Sequence, residues 1–105
     1  MKQILICLFF LLPRLLPAQT VISIRVDGTI NPVAAAYVRR AIEQAGKENA
    51  SALLLHLNTP GGLLKSTRAI VGDILESPVP VIVYVSPAGA HAGSAAVFIT
   101  LAADI

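Results

Sequence analysis

Among the residues able to do chemistry, one serine stands out by its surroundings: Ser94, inside Ala90-His91-Ala92-Gly93-Ser94-Ala95-Ala96-Val97-Phe98-Ile99. It sits among small residues where a glycine-bearing loop gives way to an apolar run. If that run is a helix, Ser94 lies at its first turn. There unpaired backbone N–H groups and the positive end of the helix dipole favour a developing negative charge. Small neighbours would let a carbonyl approach closely. An N-cap serine in front of a buried helix has the same features, and this stretch alone favours that structural role.

A second stretch changes the balance. Asn58-Thr59-Pro60-Gly61-Gly62 follows an apolar run and precedes a helical pattern. Paired glycines there expose backbone N–H groups that no side chain blocks. One such N–H, with that of Ala95 beside the serine, would make an oxyanion hole. A generic turn or a phosphate-holding turn competes with that reading. The phosphate alternative is weak, because neither GxxxxGKS/T nor GxGxxG is present. His56 reads as a core or flanking histidine with a hydrogen bond. His91 reads as a solvent-facing loop residue, and Lys47 and Lys65 as solvated charges.

These loops need elements to hold them. Thr20 to Val26 is rich in β-branched residues and reads as a strand ended by Asp27-Gly28. Asn31-Pro32 then opens a helix, Asn as N-cap and Pro at the first position. Tyr37, Val38, Ala41, Ile42 and Ala45 share its apolar face, while Glu43 and Lys47 are spaced to pair on the other. Ala52 to Leu57 is a second strand, apolar enough to be covered on both faces. Leu63, Thr67, Ile70, Val71 and Ile74 mark the buried face of a second helix, stopped by Ser77-Pro78. Pro80 to Val85 is a third strand, leading through Ser86–Gly93 into the Ser94 helix. The order β-α-β-α-β-α predicts a parallel α/β sheet with right-handed crossovers. In such a sheet ligands bind beyond the carboxyl ends of the strands, where both loops lie, so the two are expected to face one cleft.

Composition bounds the alternatives. With 105 residues the chain suffices for one small domain. It is 55% hydrophobic and 13% charged, with a net charge of +2. Without a basic stripe and with few aromatics, nucleic-acid binding has no support. Neither a metal site nor a cofactor is implied. The single cysteine, Cys7, can form no internal disulfide.

It lies in the leader, where Met1-Lys2-Gln3 is basic and Ile4 to Leu12 is unbroken apolar sequence. Residues 1–18 therefore read as a secretory signal peptide with cleavage after Ala18; the alternative is a retained anchor. The run is short for a span of roughly 20 residues, and Arg14 opposes one. Residues 19–105 are expected outside the cytoplasm.

Leu57-Asn58-Thr59-Pro60-Gly61-Gly62, followed by Ala92-Gly93-Ser94-Ala95, resembles the NfeD family of membrane-bound serine proteases of the ClpP class. The wider resemblance, over Thr20 to Ile105, is to the ClpP/crotonase fold. It implies a serine endopeptidase domain, incomplete at its C-terminus. Ser94 would be the nucleophile, and Gly62 and Ala95 would supply the oxyanion N–H groups. Gly61 would shape the turn, and Pro60, Gly61 and Gly93 would line the substrate path. The resemblance also implies apolar peptide substrates, often from a stomatin-like membrane protein, no cofactor, and homo-oligomers. Full-length members continue into transmembrane helices and a small β-domain.

Two departures stand out. Ser94-Ala95-Ala96 replaces the family's frequent Ser-Ala-Gly. The family's general base, a lysine, lies well downstream of the serine, and His91, Lys65 and Lys47 are poor substitutes. A serine without a base is a weak nucleophile, so these 105 residues alone are expected to be inactive. Two other classes stay open: a crotonase-type acyl-CoA enzyme, which the leader disfavours, and a non-catalytic binding module. An exposed apolar face at Val97, Phe98 and Leu101 is also expected.

Overall fold

The structure, a computed structural model, describes residues 19–105. The leader and its expected cleavage lie outside them. Three strands alternate with three helices: β1 (Val21–Asp27), α1 (Pro32–Lys47), β2 (Ala52–Asn58), α2 (Leu64–Leu75), β3 (Val81–Val85) and α3 (Ala95–Ala102). The sheet is parallel throughout in the order β1-β2-β3, as the alternation predicts.

Register decides which side chains are buried. Ile24 pairs with Leu55 and Val26 with Leu57, while Leu53 and Leu55 pair with Val81 and Val83. These residues share one face, since side chains alternate along a strand. They pack against Val38, Ala41, Ile42 and Ala45 of α1, Ile70 and Ile74 of α2, and Ala96 and Ile99 of α3 in one core. Burying a Leu, Ile or Val fully contributes about 1.5–3 kcal/mol each.

The expectation that β2 is covered on both faces is corrected. Leu54, His56 and Asn58 are only half-buried, and Arg25 and Tyr84 beside His56 are exposed. Sequential strand order is the reason: right-handed crossovers between neighbours place both connecting helices on the same side. An apolar run does not distinguish these arrangements.

Local chemistry sets the helix ends. Asn31 caps α1 as predicted: its backbone is extended, and its Oδ1 accepts from the Ala34 N–H at 2.9 Å, with Pro32 following. Two side-chain assignments are corrected. Tyr37 is 41% exposed, at the margin of the α1 contact, and Leu63 is 56% exposed because it precedes α2 as its N-cap residue. Val71 is half-buried and packs against the core, on the face expected of it. Glu43 and Lys47 do not pair; the ion pairs among the described residues are Arg25–Asp27 and Arg39–Asp73. Exposed charges gain little from such pairing.

Candidate active site

The loops after β2 and β3 continue the parallel pairing of their strands. Thr59 N–H donates to the His91 carbonyl at 2.7 Å, and Gly93 N–H donates to the Thr59 carbonyl at 3.0 Å, making a bridge between Thr59 and Ala92. The Asn58 Oδ1 accepts from the His91 N–H at 3.1 Å. Thr59 is fully buried, and its hydroxyl both donates to the Gly61 carbonyl and accepts from the Gly61 N–H, each at 3.1 Å. One side chain thus folds the Pro60-Gly61-Gly62 turn back on itself.

The loop after β1 closes the other side. Ile30 N–H donates to the Gly61 carbonyl and Leu63 N–H to the Ile30 carbonyl, both at 2.9 Å. The backbones meet so closely that a Cβ on Gly62 would stand 2.1 Å from the Ile30 oxygen. Only glycine fits there. Gly61 has φ +122°, and a Cβ on it would fall 2.9 Å from the Ser94 Cβ and 3.4 Å from its Oγ. Pro60 packs through its carbonyl beside Gly93, where an added Cβ would lie 3.1 Å from that oxygen. The structure therefore brings Pro60, Gly61, Gly93 and Ser94 together.

Ser94 occupies the N-cap position of α3 without acting as a cap. Its φ and ψ are +52° and −118°, and its side chain makes no capping hydrogen bond. A serine there costs on the order of 1–3 kcal/mol and persists only where surrounding contacts over-determine it. Those contacts are the Thr59 bridge just before it and the Gly61 backbone beside it. The serine is exposed. Its hydroxyl is neither packed in hydrocarbon nor used to stabilise the helix.

The amides nearby divide cleanly. Gly61 N–H is held by Thr59 and Leu63 N–H by Ile30, whereas Gly62 N–H between them has no partner among the described residues. At the other loop Ala96 N–H is held by Gly93 and Val97 N–H by Ser94, and Ala95 N–H has none. The two free donors thus belong to the residue after the serine and to the residue after Gly61, whose added Cβ would meet the Ser94 side chain. Lys47, Lys65 and His91 are exposed, and no hydrogen bond among the described residues joins them to Ser94.

A separate concavity lies elsewhere. A groove of about 640 Å³ runs between α1 and α2, floored by Ala35, Ala36 and Ala69 and edged by Arg40 and Lys65. Arg39 on its wall donates to Asp73 at 3.2 Å; that hydrogen bond, then the charge of Asp73, raises the arginine pKa further. The groove includes neither Ser94 nor the glycines. Volume and chemistry part company here, and the strained serine with its free amides is the better guide to function.

A one-sided parallel sheet with an exposed serine at its third strand–helix junction defines an α/β domain of the ClpP-like fold. Its geometry matches a point mutant of ClpP1 of Listeria monocytogenes with a TM-score of 0.70 over 77% of this chain and 46% of that one. At 22% identity that likeness concerns the fold alone. Residues 20–105 match the family model described as NfeD1b, N-terminal domain, and the chain belongs to that family. It is 36% identical to the membrane-bound protease PH1510 of Pyrococcus horikoshii, covering 100% of this chain and 24% of that protein. It is also 36% identical to the membrane protein NfeD1b of Bacillus subtilis, covering 82% and 19%. This chain thus spans about a quarter or less of these relatives' length.

A solved lysine-to-alanine variant of the 1510-N membrane-bound stomatin-specific protease, in complex with a substrate peptide, superposes with a TM-score of 0.81 at 36% identity. It covers 84% of this chain and 40% of that one. A serine-to-alanine variant of the same protease gives 0.82. Among the described residues no helix is long and apolar enough to cross a membrane.

Proposed function

We propose that this chain carries the nucleophile and oxyanion donors of a serine endopeptidase. Ser94 attacks the scissile carbonyl and passes its proton to a general base. The oxyanion of the tetrahedral intermediate is received by the N–H groups of Gly62 and Ala95. Collapse breaks the C–N bond as the base returns the proton to the leaving amine, and water then releases the acyl group from Ser94. Each oxyanion donor contributes about 3 kcal/mol to the transition state. Pro60, Gly61 and Gly93 border the path along which the peptide lies. The base is a lysine, by resemblance to the family, and neither Lys47 nor Lys65 is bonded to Ser94. The described residues are therefore inactive without one supplied from elsewhere.

Ser94 carries this reading: an exposed hydroxyl, unused as a cap, on a backbone strained into place between two loops. The substrate would be an apolar segment of a membrane-associated protein of the stomatin kind. Support comes from a relative named for that specificity and crystallised with a substrate peptide. Action at the extracytoplasmic face of a membrane is part of the proposal, drawn from the basic-apolar leader. So is homo-oligomerisation, supported by the exposed Val97, Phe98 and Leu101 on α3.

A fluorophosphonate probe tests the assignment. In the protein carrying its general base, Ser94 is expected to label covalently. Ser94→Ala is expected to abolish labelling and peptide cleavage with little change in melting temperature. Labelling that survives Ser94→Ala would sink the proposal.

A further inference from the structure

We infer that Arg25, His56 and Ser86 form a lock at the root of the Ser94 loop, in which His56 is a positioning residue for Ser94. The catalytic consequence rests on the nucleophile role proposed above; the lock rests on distances alone. Parallel register sets Arg25, His56 and Tyr84 side by side across the three strands, on the face that no helix covers. The rings of His56 and Tyr84 meet edge to face with centroids 5.7 Å apart. Ser86 is the first residue after β3, and only 5% exposed. Its N–H donates to the Leu57 carbonyl at 3.3 Å. Arg25 Nη1 donates to its carbonyl at 3.2 Å, and Nη2 reaches its Oγ at 3.5 Å. The same Oγ lies 2.9 Å from His56 Nδ1. One residue after β3 is thus tied to both other strands, β1 and β2.

The arginine bonds have a direction. Arginine only donates, so the Ser86 Oγ accepts from Arg25. The hydroxyl keeps a second lone pair and its own proton, so it can answer His56 Nδ1 in either tautomer of the imidazole. Between Ser86 and Ser94 the loop is held at two places: at its root by this lock, and near its tip by Asn58 and Thr59. A strained backbone survives while its surroundings over-determine it, so freeing the root lets the strain at Ser94 relax through the loop.

The test compares His56→Ala with His56→Asn in the protein carrying its general base. The asparagine amide sits where Nδ1 sat and, with both an acceptor and a donor, keeps a hydrogen bond to the Ser86 hydroxyl. Two readouts are followed: hydrogen exchange at the Ala90, His91 and Gly93 amides, and the rate at which Ser94 labels with the phosphonate. His56→Ala is expected to speed exchange at those three amides and slow labelling, each about tenfold, the scale of one lost neutral hydrogen bond. His56→Asn is expected to restore both. Three results would overturn the lock: unchanged loop exchange, faster exchange spread equally over Leu53 and Leu55 of β2, or failure of the asparagine to restore. If wild-type Ser94 does not label, the nucleophile reading fails while the exchange data still decide the lock.

Discussion

Helices α1 and α3 begin in opposite ways. Asn31 sits in extended backbone and spends its side chain on the Ala34 amide. Ser94 sits at φ +52° and spends its hydroxyl on nothing within the helix. Both residue types are good caps, so the contrast comes from what surrounds them. Asn31 is followed by proline, which presets the helix. Ser94 is preceded by Gly93, whose N–H is pinned to Thr59, and faced by Gly61. Helix α2, between them in sequence, begins at Leu63 with no side-chain cap at all. The two uncapped starts are the two that meet at the candidate site, and only the remote one is built for stability.

The largest expected effect tests whether the uncapped starts depend on backbone contact. Gly62→Ala drives a methyl into the Ile30 carbonyl, where a Cβ would stand 2.1 Å away. Backbone lies on both sides, so neither neighbour gives way cheaply. Overpacking of this kind costs typically 1–3 kcal/mol and occasionally more, and the value here is expected at or above about 3 kcal/mol. Chemical denaturation would measure it. A loss below about 1 kcal/mol would mean the turn reshapes freely, contrary to the close packing of loops described above.

Next comes the capped start. Asn31→Ala removes the 2.9 Å bond to Ala34 and leaves an amide of the first turn unpartnered. The expected cost is about 1 kcal/mol, a fall in melting temperature of roughly 4–8 °C for a domain this size. Phosphonate labelling at Ser94 should be unaffected, because the Asn31 side chain bonds only to its own helix, while the turn is held by the Ile30 backbone.

The two starts were not equally legible in the sequence. Asn31-Pro32 reads correctly because every force at work there is local: a cap, a ring that fixes φ, and an apolar period. At Ser94 the sequence leaves cap and nucleophile in competition. Nothing in neighbouring residues reveals that Thr59, far back along the chain, bridges to Ala92 and forces the serine out of a capping conformation. The glycines of the turn were legible as a pair, and their separate duties were not. Gly62 is required by the Ile30 backbone and Gly61 by its φ and by Ser94. Tyr37 was misplaced because period alone does not say how wide an arc of α1 the core covers. Ser86 escaped notice altogether. Its partners Arg25 and His56 come from two other strands and are set beside each other only by register, so no local pattern in the chain points to it.

The last effect is the one that separates the two starts by sign. At Ser94 a side chain gives the helix no capping bond and obliges the backbone to occupy a region that glycine enters freely. Ser94→Gly relieves about 1–3 kcal/mol of strain and gives back about 0.5–1 kcal/mol through the greater freedom of the unfolded chain. The net is a gain of between about 0 and 2.5 kcal/mol. Asn31→Gly, by contrast, releases no strain and is expected to lose a few tenths. If Ser94→Gly proves destabilising, the serine contributes a bond its geometry does not show, and the case for a hydroxyl kept free for chemistry weakens. If it stabilises the fold while ending phosphonate labelling, stability has been exchanged for reactivity at that one position.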